Sequence, residues 1–198
     1  MTDPASKGLF GRIAPLYSLF FQHQRKSHGG VLDLAQQEID MRGFKSVLDV
    51  GCGTGALCAA WHERGYKVTG VDQERRMVEV ARRKNAGSGI EFLTGDVIHG
   101  LPFPDRSFDV VIASYVAHGL PSAQRHVMYG EMKRLARNLV IIHDFNRVRS
   151  GLLDFIEAME GSDYLRFIEV VHDEMLTHFS SVELLEVGAR ATWYIGRV

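Results

Sequence analysis

Between residues 46 and 145, short apolar runs alternate with stretches of helical period, and this alternation restricts the fold more than any other feature of the chain. It predicts a strand over 46–50, a helix over 54–64 stopped by Gly65, a strand over 67–71, a helix over 74–84 and a strand over 90–94. It continues through "FDVVIAS", a helix from Pro121 to about Arg137, and "NLVIIHDF". A helix between two strands carries the chain back to the starting edge, so such strands run parallel, and unbroken apolar runs suit strands covered on both faces. Five parallel strands are expected, in an α/β fold with helices on both faces of the sheet. The terminal "VELLEVGARATWYIGRV" holds two β-type runs meeting at Gly188, a connection so tight that only antiparallel strands can use it.

The 198 residues, 45% of them hydrophobic, suffice for one domain over 1–198 with a sizeable core and leave no room for a second substrate domain. Residues 1–43 read as an N-terminal helical extension, in which Val31, Leu34, Ala35 and Ile39 fall close to a period of about 3.6 residues, and 145–178 as a helical insertion before the hairpin. A net charge of -1 lacks the basic footprint that nucleic-acid binding leaves. Asp3, Arg12 and Pro15 interrupt the apolar residues near the N-terminus, so neither a signal core nor a membrane span is expected and the location expected is cytoplasmic. Cys52 and Cys58 are too close together to staple a domain and are expected to be reduced. Nine histidines show no HxH or HExxH spacing, and no metal is expected.

The stretch "VLDVGCGTG", residues 47–55, runs a predicted strand into a glycine turn and places Asp49 inside an otherwise apolar strand. Gly51, Gly53 and Gly55 allow left-handed backbone and close approach of a ligand, and ligands of open parallel sheets bind beyond the carboxyl ends of the strands. Gly51, Gly53 and Ala56 also satisfy the looser dinucleotide fingerprint, so an NAD(P)-dependent oxidoreductase is an alternative. Asp49 separates the two: its carboxylate would repel a pyrophosphate at the same turn, but attract a cationic amino group such as that of S-adenosylmethionine. Asp72 closes a strand 21 residues beyond Gly51, where an acid receives ribose hydroxyls of any adenosine cofactor.

Taken together, "VLDVGCGTG", "VTGVDQ", "TGDV" and "LPFPDRSFDVVIAS" resemble the class I S-adenosylmethionine-dependent methyltransferases, in particular the small branch around the ubiquinone and menaquinone biosynthesis enzymes. The resemblance covers residues 44–115 well. It implies a Rossmann-like, seven-stranded, mostly parallel sheet whose last strand is antiparallel, S-adenosyl-L-methionine as cofactor, S-adenosyl-L-homocysteine as product, and a small-molecule methyl acceptor. By position it implies that Asp49 and the backbone at Gly51, Cys52 and Gly53 hold the methionine end. Asp72 would take the ribose hydroxyls, Gln73 and Met77 would flank the adenine, and Asp96 and Val97 would meet its amino edge. Ser114 would lie near the sulfur, and Tyr17 would cover the cofactor carboxylate.

Other roles stand beside these. Asp49 could be satisfied by backbone donors at a tight turn, Asp72 could cap the helix that follows, Asp96 could organise a turn and Met77 could be core. A general base is needed only where the acceptor arrives protonated with a high pKa. His118 in "SYVAHGL" and His143 in "IIHDF" are candidates near carboxyl ends of predicted strands, with Tyr115 and Asp144 in the same position. The acceptor would be gripped by 1–30 and 145–178, where "LYSLFF" and "LRFIEVV" suit an apolar or aromatic molecule. Two departures weigh against copying a quinone substrate: "LARNLV" replaces the Pro-Gly-Gly turn before the fifth strand, and "VAHGLPS" replaces the Arg-Asn signature after the fourth. A non-catalytic S-adenosylmethionine-binding protein is a further alternative.

Overall fold

In the computed structural model, which describes residues 20–146 and 164–198, the apolar runs are the strands that the alternation predicts. The chain divides into two units, Met1–Asp96 and Val97–Val198. The first holds α1 (Phe21–Glu38), β1 (Ser46–Val50), α2 (Ala56–His62), β2 (Lys67–Asp72), α3 (Arg75–Lys84) and β3 (Glu91–Thr94). The second holds β4 (Phe108–Ser114), α4 (Ser122–Leu135), β5 (Ala136–Phe145), α5 (Tyr164–Leu176), β6 (Val182–Gly188) and β7 (Ala191–Arg197). Their strands make up a seven-stranded, mostly parallel sheet.

In the first unit β1 pairs with β2, and β2 with β3, all parallel, with Asp49 opposite Gly70 and Val50 opposite Val71. Gly70 is required by packing, because a Cβ there would stand 2.8 Å from the Phe92 ring and 2.9 Å from Cys58 Sγ. Helix α2 is shorter than the 54–64 expected. Gly55, at φ +77°, cannot belong to a right-handed helix and delays its start to Ala56, while the Gly65 N–H bonds the His62 carbonyl and ends it. Phe21 of α1 packs on Ala56 and Ala59. Arg64 fixes the two helices by donating to the Gly29 carbonyl at 2.6 Å, the Ala60 carbonyl at 2.9 Å and Asp33. Residues 1–19 of the expected extension, Tyr17 among them, lie outside the described residues.

In the second unit β5 lies between parallel β4 and antiparallel β7, and β7 in turn pairs antiparallel with β6. The hairpin expected at Gly188 is present, with Gly188 opposite Ala191. Val110–Ile112 and Val140–Ile142 are fully buried, and Met128, Tyr129, Met132 and Leu135 of α4 are buried with them. Each such side chain contributes about 1.5–3 kcal/mol by leaving water. Phe179 fills the place that a side chain at Gly196 would take, its ring only 2.5 Å from an ideal Cβ. The part of the expected insertion that can be described is α5. None of the described helices is long and apolar enough to cross a membrane.

Candidate functional site

Strand β1 ends at Val50, and the glycine turn that follows is tied to the end of β2. The Gly51 and Cys52 N–H groups both donate to the Val71 carbonyl, at 2.8 and 3.0 Å, and the Gly53 N–H donates to Asp72 Oδ2 at 2.8 Å. Gly51, Gly53 and Gly55 all have positive φ, which an L side chain would resist. A Cβ at Gly53 would meet no atom of the described residues within 4 Å; at Gly55 it would collide with Phe92 and Asn85 at 2.8 Å.

Asp49 is 1% exposed. Its Oδ2 accepts the Cys58 thiol at 3.1 Å, while its Oδ1, also buried, has no partner among the described residues. Burial pushes the carboxyl up to about 7, the Cys58 hydrogen bond opposes that rise, and the nearby Asp72 charge adds to it. A cation placed beside such an acid would supply a partner for that oxygen and favour the carboxylate. Both cysteines are free, and burial holds the Cys58 thiol well above its ordinary range. For Cys52 burial and the neighbouring carboxylates outweigh the lowering effect of its contact with Cys58.

Asp72 does not cap α3, whose N-cap is Glu74. Its Oδ1 accepts the Glu74 N–H at 2.8 Å and its Oδ2 the Gly53 N–H, so one carboxylate braces both the glycine turn and the approach to α3. Burial raises its pKa and these backbone bonds hold the rise back. A carboxylate has about four lone-pair sites, so two used by backbone leave capacity for hydroxyl donors. Gln73 is exposed beside it, Met77 is buried against Val80, and Asp96 is half-buried. Among the described residues no cluster of three or more His, Cys, Asp or Glu side chains could hold a metal.

In the second unit Val97 is buried at the start of a short 3-10 turn, Val97–His99. Ser114 closes β4 opposite His143 of β5, and Ser114 Oγ lies 3.1 Å from His143 Nδ1. Tyr115 follows with φ +54°, held there by its N–H bond to the His143 carbonyl at 2.8 Å, and its ring is 43% exposed. His118 Nδ1 lies 2.8 Å from Asp144 Oδ1, which also accepts the Phe145 N–H, while Asp144 Oδ2 accepts the His118 N–H at 3.3 Å. The His118 ring stands edge-on to Phe145, at 4.9 Å between centroids, and to Phe167 at 6.5 Å. The structure thus brings together, within this unit, four of the residues singled out in the sequence: Ser114 with His143, and His118 with Asp144. From sequence, Cys58 is only a reduced thiol, Phe167 only part of the apolar run "LRFIEVV" and Phe145 only the end of a strand, because their contacts with Asp49 and His118 carry no signal before the chain is folded.

Residues 47–138 match the model of a methyltransferase domain. The malonyl-[acyl-carrier protein] O-methyltransferase of Pectobacterium atrosepticum is 33% identical over 154 residues, covering 78% of this chain and 57% of that protein. The demethylmenaquinone methyltransferase of Thermus thermophilus is 36% identical over 114 residues, 54% of this chain and 50% of its own length. The chain thus spans about half the length of these curated relatives. Among solved structures, magnesium protoporphyrin IX methyltransferase from Synechocystis PCC 6803 with bound S-adenosylhomocysteine has the same fold, with a TM-score of 0.61 at 18% identity over 88% of this chain and 83% of that one. The glycine turn and the Asp72 brace both lie within the residues that match the methyltransferase domain, and over this stretch the chain is similar to named methyltransferases.

Proposed function

We propose that the chain is an S-adenosylmethionine-dependent methyltransferase acting on a small apolar or aromatic acceptor, in the cytoplasm, with no nucleic-acid partner. The observation that carries the cofactor reading is the buried Oδ1 of Asp49, without a partner among the described residues, beside a glycine turn where no described atom lies within 4 Å of a Cβ at Gly53. Asp49 takes the cofactor's ammonium group, and the backbone of Gly51, Cys52 and Gly53 lines its methionine end. Asp72 accepts the ribose hydroxyls with the lone pairs its backbone bonds leave over. Gln73 and Met77 border the adenine, Asp96 and Val97 meet its edge, Ser114 lies toward the sulfur and Tyr17 covers the carboxylate. When bound, S-adenosylmethionine supplies a sulfonium methyl that a nucleophile takes by in-line displacement. The charge is dispersed in that step, so positioning and water exclusion supply much of the rate. The named relatives act on malonyl-[acyl-carrier protein] and on demethylmenaquinone, and the rings about His118 favour an acceptor of the second, aromatic kind.

The test is calorimetric titration of the chain with S-adenosylmethionine, S-adenosylhomocysteine and NAD, repeated on Asp49→Asn and Asp72→Ala. Saturable binding of the two sulfur nucleosides, no binding of NAD and weaker binding in both variants are expected. Binding of NAD alone, or indifference to Asp49→Asn, would overturn the reading.

A further inference from the structure

We propose that Cys52 and Cys58 are a redox pair in the glycine turn, and that their oxidation to a disulfide takes the thiol hydrogen from Asp49 and weakens cofactor binding. The disulfide concerns the first unit alone; its effect on binding rests on the cofactor reading above. Both thiols are free, and they are hydrogen-bonded to each other. Each is also fixed by its surroundings. The Cys52 N–H donates to the Val71 carbonyl at 3.0 Å, and its own carbonyl accepts the Gly55 N–H at 2.8 Å. Cys58 Sγ donates to Asp49 Oδ2 at 3.1 Å and lies against Gly70, where a Cβ would come within 2.9 Å of it. Two thiols held side by side have a high effective concentration toward each other, so a mixed disulfide formed at one is resolved by the other.

The two thiols are not equivalent. Cys58 is fully buried, and burial, then the neighbouring Cys52 and Asp49, hold its thiol well above the ordinary range, which makes it inert toward an oxidant in solution. Cys52 is 7% exposed, and its hydrogen bond with Cys58 opposes the rise that burial and the carboxylates cause. It is the thiol that an oxidant reaches first. Resolution by Cys58 then needs a base beside its sulfur, and Asp49 Oδ2 already accepts that hydrogen. Burial pushes the Asp49 carboxyl up to about 7, so near neutral pH it can take up the proton as the sulfur reacts.

The oxidant is a low-molecular-weight disulfide, such as oxidised glutathione. Cys52 releases its proton to solvent, its thiolate attacks one sulfur of the oxidant, and the first glutathione leaves as a thiolate. Cys58 Sγ then attacks Cys52 Sγ while its proton passes to Asp49, and the second glutathione leaves. The chain loses two electrons and two protons, and one glutathione disulfide is reduced to two thiols. A disulfide sulfur has no hydrogen to donate, so Asp49 Oδ2 loses the donor it has among the described residues, and Oδ1 has none there. A buried carboxyl without donors keeps its proton, and a neutral acid does not attract an ammonium group. The coupling is reciprocal: a ligand that favours the dithiol protects it from oxidation by the same factor.

The test equilibrates the chain at neutral pH with glutathione buffers of rising oxidised fraction, quenches with acid and scores the peptides by mass spectrometry without reduction. An intramolecular link between Cys52 and Cys58, seen as the loss of two hydrogens, is expected in the folded chain. In calorimetry the oxidised chain should bind S-adenosylhomocysteine about tenfold or more weakly than the reduced chain, and dithiothreitol should restore the affinity. Saturating S-adenosylhomocysteine should move the midpoint of oxidation to a more oxidising potential, by about 30 mV for each tenfold difference in affinity. Cys52→Ser keeps the Cys58 thiol on Asp49 and should bind equally in reducing and oxidising buffer. Absence of the link in the folded chain, equal affinity of the oxidised and reduced chains, or loss of binding by Cys52→Ser on oxidation would each overturn the proposal. If the reduced chain binds S-adenosylhomocysteine and no link forms, the redox pair fails alone; if the link forms and the reduced chain binds none, the cofactor reading fails and takes the effect on binding with it.

Discussion

Cys58 donates its thiol hydrogen to Asp49 Oδ2 across 3.1 Å, while the other carboxylate oxygen has no partner among the described residues. The thiol therefore fixes which oxygen would be left for the proposed cofactor, and it opposes the rise in the Asp49 pKa that burial causes. A hydrogen bond to a charged group contributes about 1.5–3 kcal/mol, so Cys58→Ala should weaken S-adenosylhomocysteine binding about tenfold or more. Cys58→Ser keeps a donor and should recover most of that loss. Equal dissociation constants for the alanine and serine variants, measured by calorimetry, would reduce Cys58 to a packing residue.

The raised Asp49 pKa also makes both stability and binding depend on pH, in opposite senses. Between the ordinary value of 3.8 and about 7 the folded chain keeps a proton that the unfolded chain has released. Ligand-free stability from this group therefore falls as pH rises through that window, by up to about 1.4 kcal/mol per unit, and levels off above it. Asp49→Asn should remove this slope in urea titrations. A cationic ligand needs the carboxylate, so cofactor affinity should climb as pH rises toward 7, and binding should release a proton on the acid side. Buffers of different ionisation enthalpy would reveal that proton as a difference in the observed heat; no difference at pH 6 would contradict the assignment.

The strands and the glycine turn were legible in the sequence because apolar runs and glycines act locally. Val47 and Leu48 must be buried, and Gly55 must break the helix, whatever lies far along the chain. The pairings that shape the site are not of this kind. Asp72 meets the Gly53 N–H across nineteen residues, and His118 meets Asp144 across twenty-six. Each depends on where the chain returns to the sheet: the second lies just beyond the register that sets Ser114 opposite His143. The sequence could place His118, His143, Tyr115 and Asp144 near one another. It could not tell which histidine receives the carboxylate, because that is decided by which ring turns toward Asp144 and which toward Ser114.

Two glycines of the same turn should respond differently to alanine. At Gly55 the new methyl would lie 2.8 Å from both Phe92 and Asn85, in backbone at φ +77°. Overpacking and left-handed strain together should cost about 2–4 kcal/mol of stability, read as a lower urea midpoint. At Gly53 the methyl meets no atom of the described residues within 4 Å, which leaves the backbone cost of about 1 kcal/mol. Gly53→Ala should nevertheless impair S-adenosylhomocysteine binding strongly, since its methyl enters the space where the ligand must approach. A well-folded Gly53→Ala protein with unchanged affinity would mean that the ligand lies elsewhere.

Arg125 and Glu174 form an enclosed ion pair in the second unit, with side chains 8% and 10% exposed and two bonds of 2.7 Å. Burial alone would push the Glu174 carboxyl up, yet Arg125 and the Ser122 hydroxyl hold it below the ordinary range. Its contribution to stability is thus present above the usual carboxylate range and is lost as pH falls through the lowered pKa. Arg125 also donates to the Leu120 carbonyl at 2.6 Å and stacks over Phe167, one of the rings beside His118. Arg125→Ala would leave a buried carboxylate without its partner and should destabilise the fold by about 3–5 kcal/mol. Replacing both residues with methionine removes the unpaired charge along with the pair, and the double variant should be more stable than Arg125→Ala. If Arg125→Ala unfolds at the same urea concentration as the unmodified chain, the pair holds little, and Phe167 is positioned by packing alone.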